Sequence, residues 1–174
     1  GPVISDIHAP SQRLLDDGHV LAFAWTALRD EDTTADSLFG LEAVSDWSGF
    51  VDNFRRYVTP QQNIVYADRS GNIGFLAPGL VPIRKPQNDL KGLAPAPGWD
   101  ARYDWAGFIP FDELPRSYNP ASGMVVTANH KIVPDSYPHF ITSEWADPYR
   151  AKRIEQLIRD RAVHSVESFK QIQG

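Results

Sequence analysis

Residues 63–79, NIVYADRSGNIGFLAPG, decide how this chain folds. Two short runs with apolar side chains at alternate positions flank the polar string Asp68-Arg69-Ser70-Gly71-Asn72. Ile64 and Tyr66 alternate before it, and Ile73 and Phe75 after it. A period of two marks a strand, and Gly71 supplies the positive φ that a tight connection between two strands needs. The stretch is therefore read as a β-hairpin.

Upstream of the hairpin the period changes. In SDWSGFVDNFRRYV (45–58), Trp47, Phe50, Val51, Phe54 and Val58 fall at three- and four-residue steps, which predicts a helix over 46–57 with one apolar face. Ser45 or Asp46 suits its N-cap, and Thr59-Pro60 ends it. Helical spacing is also read over 35–44. RDEDTTADS (29–37) is a solvated charged loop, with Thr34 or Asp36 placed to cap the helix after it. HVLAFAWTAL (19–28) is a continuous apolar run, read as a buried strand. PVISDI (2–7) reads as a short strand and HAPSQRLLDDG (8–18) as a loop.

Downstream, residues 80–120 are rich in Pro and Gly and carry Trp99, Tyr103, Trp105, Phe108 and Phe111. A connection this long is unusual in a compact domain unless it serves a site or an interface. VVTANHKIVP (125–134) then sets an amide, Asn129, and an imidazole, His130, at the end of an apolar segment read as a strand. Two explanations stay open on the residues alone. One is a turn, since Asn is a turn former and Pro134 cannot continue a central strand; the other is an amide aimed at a substrate oxygen. In DPYRAKRIEQLIRDR (147–161), Asp147 is placed to cap, Pro148 to stand at N1, and Tyr149, Ile154, Leu157 and Ile158 to line one helix face. Ser165 is read as the start of another helix, and there is no internal repeat.

Composition narrows the class. The 174 residues are 42% hydrophobic and 11% aromatic, a globular composition, and the mixed strand and helix spacing makes the fold class α+β. A net charge of −5 without a basic run argues against nucleic-acid binding, and no apolar stretch has the length of a membrane span. Without cysteine there is neither a disulfide nor cysteine catalysis. No GxSxG, P-loop, GxGxxG or HExxH occurs, and His8, His19, His130, His139 and His164 are not spaced as metal ligands. The sole methionine is Met124, so the chain is expected to be a piece of a longer protein, with any targeting signal outside it. Gly1-Pro2 fits either a cloning scar or the native sequence.

Several segments, in order, resemble the penicillin acylase (penicillin amidase) family of N-terminal-nucleophile hydrolases. They are GPVISD, QQNIVYADRSGNIGFLAPGLVPIR, APGWDARYDWAGFIPFDELPRSYNPASG, VVTANHKIVPDSYP and WADPYRAKRIEQLI. Each is weak alone; together they are specific. The resemblance implies a fragment of a four-layer αββα sandwich, with residues 1–174 forming part of one catalytic domain. It implies a precursor that cleaves itself, so that a catalytic chain starts with a nucleophile, usually serine. Its hydroxyl attacks an amide carbonyl while its own α-amine, titrating near pH ~7.7–8, takes the proton.

The residue roles come from the same resemblance. Asn129 corresponds to the oxyanion-hole asparagine and Arg150 to the arginine that orients it. Trp25 falls where an acyl-pocket aromatic stands, and Gln62 faces the same pocket; Asn63 is read as supporting the strand. The nucleophile is missing, since Gly1 has no hydroxyl and GPVISD resembles a segment inside the catalytic chain, so the piece alone is expected to be inactive. Where many relatives carry Asn-Asn, this chain has Asn129-His130, and His130 is read as a solvent-facing turn residue. No metal site and no cofactor are expected in the piece, while the resemblance leaves room for Ca2+ in the intact parent, since many members bind it. Expected partners are the remainder of the precursor (the α chain and the start of the β chain) and a small N-acyl amide such as a β-lactam side chain or an N-acyl-homoserine lactone. Uncovered sheet edges would favour self-association, and the family suggests a periplasmic or secreted enzyme. The alternative is a noncatalytic binding or scaffold protein on the same fold.

Overall fold

The computed structural model describes residues 1–13, 15–16 and 18–173; the loop reading at Leu14 and Asp17 lies outside them. The fold is α+β, and the chain divides into two compact units, one of residues 1–62 with 77–114 and the other of residues 63–76 with 115–174. No helix among the described residues is long and apolar enough to cross a membrane.

The second unit holds the hairpin. Strands β1 (Ile64–Ala67) and β2 (Ile73–Leu76) pair antiparallel, and β2 pairs on its other side with a third strand, Arg116–Tyr118. Register sets Tyr66 opposite Gly74 and Ile64 opposite Leu76, so the buried face is Ile64, Tyr66, Gly74 and Leu76. Ile73 and Phe75 share the other face with Val65 and Ala67. The five-residue connection shifts the phase between the strands, and side chains alternate from there. The turn is fixed by one carboxylate. Asp68 Oδ1 accepts from the backbone N–H of Ser70 (2.8 Å) and Asn72 (3.0 Å); Oδ2 accepts from Asn72 Nδ2 (2.8 Å) and the Tyr66 hydroxyl (2.9 Å). Gly71 has the expected positive φ, 85°.

Two helices complete this unit, Tyr149–Arg159 and Val166–Gln173. Pro148 is the N-cap of the first, with no side-chain capping bond, so Asp147 does not cap it; Tyr149, expected on the apolar face, is 76% exposed. A residue one position out of phase cannot share the face of Ile154 and Ile158, and Ala151, 3% exposed, takes the inner position. The second helix starts as read, with Ser165 Oγ accepting from Ser168 N–H and Ser168 Oγ from Ser165 N–H, a reciprocal cap. VVTAN is not a strand: residues 124–127 belong to no strand or helix. Its apolar character suits a ladder, but no described strand pairs with it.

The first unit is built around the helix Trp47–Phe54, capped as read by Asp46 Oδ1 on Gly49 N–H at 2.8 Å. Phe50, Val51, Phe54 and Val58 are buried, with the Phe50 and Phe54 rings edge-on at 4.8 Å. The helix Thr34–Phe39 precedes it, its first N–H bound by Asp32 Oδ1 and not by Thr34 or Asp36. The stretch 80–120 is less irregular than its Pro and Gly suggest. It contains strands Pro82–Arg84 and Trp105–Phe108, paired antiparallel, and 3-10 turns at Ala101–Tyr103 and Phe111–Glu113. Near the start, PVISDI contributes one bridge, Val3 to Ala22, and Ala9–Gln12 is a short helix where a loop was expected. Residues 19–28 are not a buried strand. Val20, Phe23, Trp25 and Leu28 are all more than 40% exposed, and Thr26–Leu28 is a 3-10 turn. Among the described residues the run makes one bridge, Val3 to Ala22, and belongs to no sheet that could bury it on both faces.

Candidate active site

Of the four residues singled out from sequence, Asn129 and Arg150 meet directly. Arg150 sits in the first turn of the helix Tyr149–Arg159. A cation there opposes the helix dipole, so its position needs a compensating set of acceptors. It has two: Nη2 donates to the Ala128 carbonyl at 2.7 Å and to Asn129 Oδ1 at 2.9 Å. Because a guanidinium has donors only, the face of the Asn129 amide turned to it must be its oxygen. Nδ2 is thereby turned away from Arg150 as the free donor of the amide.

The backbone at Asn129 is equally specific. Its φ is 62°, in the left-handed region where Asn is one of the few side chains commonly found. Its carbonyl accepts from Ala146 N–H at 2.9 Å, which closes the loop 130–145 on itself. On the other side, Thr127 Oγ1 accepts from Asn63 Nδ2 at 2.6 Å. Ala128 between them is buried, while Asn129 and Arg150 are both exposed. The result is an anchored backbone carrying an oriented, solvent-accessible amide N–H. Such a group can stabilise negative charge on an oxygen without itself gaining or losing a proton.

His130 differs from its reading as a solvent-facing residue. It is half-buried, its Nδ1 is buried without a hydrogen-bond partner, and it lines a cavity of about 210 Å³ with Phe75, Ser117, Met124, Val126 and Ile132. The left-handed turn at Asn129 directs successive side chains to different sides, which spacing in the sequence does not convey.

Trp25 and Gln62 belong to the first unit. Trp25 is 47% exposed and its ring lies 5.9 Å from that of Phe23. Gln62 is exposed, and its N–H donates to the Pro78 carbonyl at 3.3 Å. Gly79, next along, has φ 129°, and a Cβ there would stand 2.9 Å from Gln61 Cα, so only glycine permits this close passage. Among the described residues no three His, Cys, Asp or Glu side chains gather to hold a metal ion.

A backbone-anchored amide oriented by an arginine is a fitting part of an amide hydrolase, and the comparisons with known proteins point to that class. Residues 1–174 match the penicillin amidase family. The chain belongs to that family. It is 33% identical over 147 residues to the penicillin acylase 2 proenzyme of Pseudomonas sp. (strain SE83), covering 84% of this chain and 19% of that protein. It is 34% identical over 159 residues to the acyl-homoserine lactone acylase QuiP of Pseudomonas aeruginosa, covering 91% and 18%. Among solved structures it is similar to the thermostable penicillin G acylase of Alcaligenes faecalis, with a TM-score of 0.67 and 27% identity over 80% of this chain and 24% of that one. The chain thus spans less than a fifth of the length of these two curated relatives.

Sequence reasoning did not anticipate the part played by Thr127 and the Ala128 carbonyl in fixing the amide. The signal available was weak: a hydroxyl two residues before Asn129 in an otherwise apolar run.

Proposed function

We propose that this chain is part of the catalytic chain of an N-acyl amide hydrolase that works through an N-terminal nucleophile and an acyl-enzyme. The observation that carries the reading is the Arg150 guanidinium gripping Asn129 Oδ1 and leaving Nδ2 as the outward donor. In the reaction, the nucleophile's hydroxyl oxygen bonds to the substrate's carbonyl carbon while the α-amine of the same residue takes the hydroxyl proton. The carbonyl oxygen becomes O⁻ and accepts from Asn129 Nδ2. Collapse breaks the C–N bond, the α-amine returns the proton to the leaving amine, and water then releases the acid by the same steps.

Arg150 holds the donor, and Trp25 and Gln62 are assigned to the acyl group. An indole favours an apolar acyl chain. The relatives named for penicillin and for acyl-homoserine lactones define the substrate class, an acyl group on the nitrogen of a small molecule. Since the chain matches under a fifth of those relatives, the nucleophile and the other layers of an αββα sandwich are assigned to the remainder of a longer precursor. Residues 1–174 would then form part of one catalytic domain, inactive alone. The same remainder would cover the exposed Phe23, Trp25 and Leu28 and supply any Ca2+ site; without it, open sheet edges would favour self-association. A periplasmic or secreted location follows from the family.

The test is an acyl-amide panel, penicillin G and N-acyl-homoserine lactones included, run on the full-length gene product, its Asn129→Ala variant and the 174-residue chain. Hydrolysis by the full-length protein, lowered about 10²–10³-fold by Asn129→Ala and absent from the short chain, supports the reading. A folded full-length protein inert to the whole panel would favour the noncatalytic alternative.

A further inference from the structure

We propose that Asn63 is a positioning residue for the Asn129 amide, acting through Thr127; this rests on the oxyanion role proposed above for Asn129. The argument starts from what residues 124–127 lack. They belong to no strand or helix, so no ladder fixes the backbone that leads into Asn129. Side chains from elsewhere must do so.

Bonds converge on three consecutive residues. Arg150 takes the Ala128 carbonyl and the Asn129 side chain, Ala146 takes the Asn129 carbonyl, and Asn63 takes the Thr127 hydroxyl. The first two come from the helix Tyr149–Arg159 and the residues just before it. Asn63 alone among these comes from the sheet side of the unit. It immediately precedes β1, the strand whose register is set by pairing from Ile64↔Leu76 to Ala67↔Ile73 and whose turn is tied down by Asp68. Asn63 therefore joins the most regular element of its unit to the least regular one, over a sequence separation of 64 residues.

The chemistry suits a locator. The bond is short, 2.6 Å, and part-buried, so water competes poorly for it. Thr127 is β-branched and has few rotamers, so fixing its hydroxyl also fixes its Cα. Without Asn63, Arg150 and Ala146 still hold Ala128 and Asn129 against the helix side, and the pair can swing as a body. An oxyanion donor works within a few tenths of an ångström of its place, and a misplacement of 1 Å can cost about 10²-fold.

The experiment uses the full-length, processed protein and an acyl amide that it hydrolyses, with kcat, KM and Tm measured for Asn63→Ala, Thr127→Val, Thr127→Ser and Asn129→Ala, singly and combined. Expected are a fall in kcat of about 10- to 100-fold for Asn63→Ala and for Thr127→Val, with KM within about twofold. Thr127→Ser, which keeps the hydroxyl, should restore most of the rate. The decisive readout is the combination of Asn63→Ala with Asn129→Ala. A residue that acts through the amide loses its effect once the amide is gone, so the pair should be no slower than Asn129→Ala alone. An equal further loss in that background, or an unchanged kcat for a folded Asn63→Ala, overturns the proposal while the oxyanion reading survives. Should Asn63→Ala not fold, Thr127→Val carries the same comparison. If Asn129→Ala itself leaves kcat intact, the oxyanion reading fails and this proposal falls with it.

Discussion

The hairpin of residues 63–76 and the segment 124–130 lie in the same unit and are both apolar, yet they are held by opposite means. The hairpin is held from within: a ladder from Ile64↔Leu76 to Ala67↔Ile73, and a turn in which the N–H groups of Ser70, Gly71 and Asn72 all bind Asp68. The segment is held from without, by Asn63, Arg150 and Ala146. A ladder specifies register and ties up the backbone groups along its paired edges. A segment pinned by remote side chains can adopt a left-handed residue at its end and turn an amide outward. The regular element is the reference frame, and under the proposed function the irregular one carries the chemistry.

The sharpest way to break this contrast is at Asn129. Asn129→Gly in the full-length protein suits the φ of 62°, so the backbone should tolerate it and Tm should stay near that of the parent. Loss of the amide should still lower kcat by about 10²–10³-fold. A large fall in Tm would mean that the side chain serves the fold and not the reaction. Arg150→Ala should come next, with about a tenfold or larger loss in kcat, since Asn129 would keep its backbone but lose the partner that selects which face of the amide points outward. Arg150→Lys should recover only part of that loss, because a lysine is a flexible point charge and not a planar fork. Indistinguishable kcat values for Arg150→Ala and wild type would refute the orienting role.

The hairpin side of the comparison is tested by stability and pH. Hydrogen bonds from Asn72, first its side chain and then its backbone, hold the Asp68 carboxyl below the ordinary carboxylate range. A carboxylate depressed in the folded state adds stability above its unfolded value, about 3.9, and loses it as pH falls through the lower folded value. Thermal melts of wild type and Asp68→Asn from pH 7 downward should show the variant less stable at neutral pH. The gap should close below about pH 4. A gap that is constant with pH would mean that the Asp68 charge plays no part in the turn. In the full-length enzyme, kcat at neutral pH should be unaffected by this change.

What could be read in advance follows the same division. The hairpin, the Trp47–Phe54 helix with its Asp46 cap and the Ser165 start were legible because their determinants lie within a few residues of each other. The phase of β2 was not, because a five-residue connection hides which face resumes. Residues 19–28 and 125–129 have strand composition, but a ladder needs a partner that composition does not name. The pairing of Asn129 with Arg150 was suggested by family resemblance; in the residues themselves the only trace is a basic side chain in a helix's first turn, against the dipole. Trp25 and Gln62 had no local signal beyond a large aromatic and an amide in apolar surroundings.

His130 gives the smallest expected effect. Its imidazole follows the catalytic candidate directly, so adjacency invites a role in the reaction. The surroundings argue otherwise: Nδ1 is buried with no partner, and the cavity it lines, shared with Phe75, Ser117, Met124 and Lys131, offers it none. An unsatisfied buried nitrogen is a cost of folding, about 1–3 kcal/mol when it cannot reach water. His130→Leu should therefore be neutral or slightly stabilising, and it should leave the pH dependence of kcat/KM in the full-length protein unchanged. A shift in the acid limb of that profile, with Tm unchanged, would instead give the imidazole a share in the reaction. The anchored segment would then contribute two chemical groups, where the geometry at present supports one.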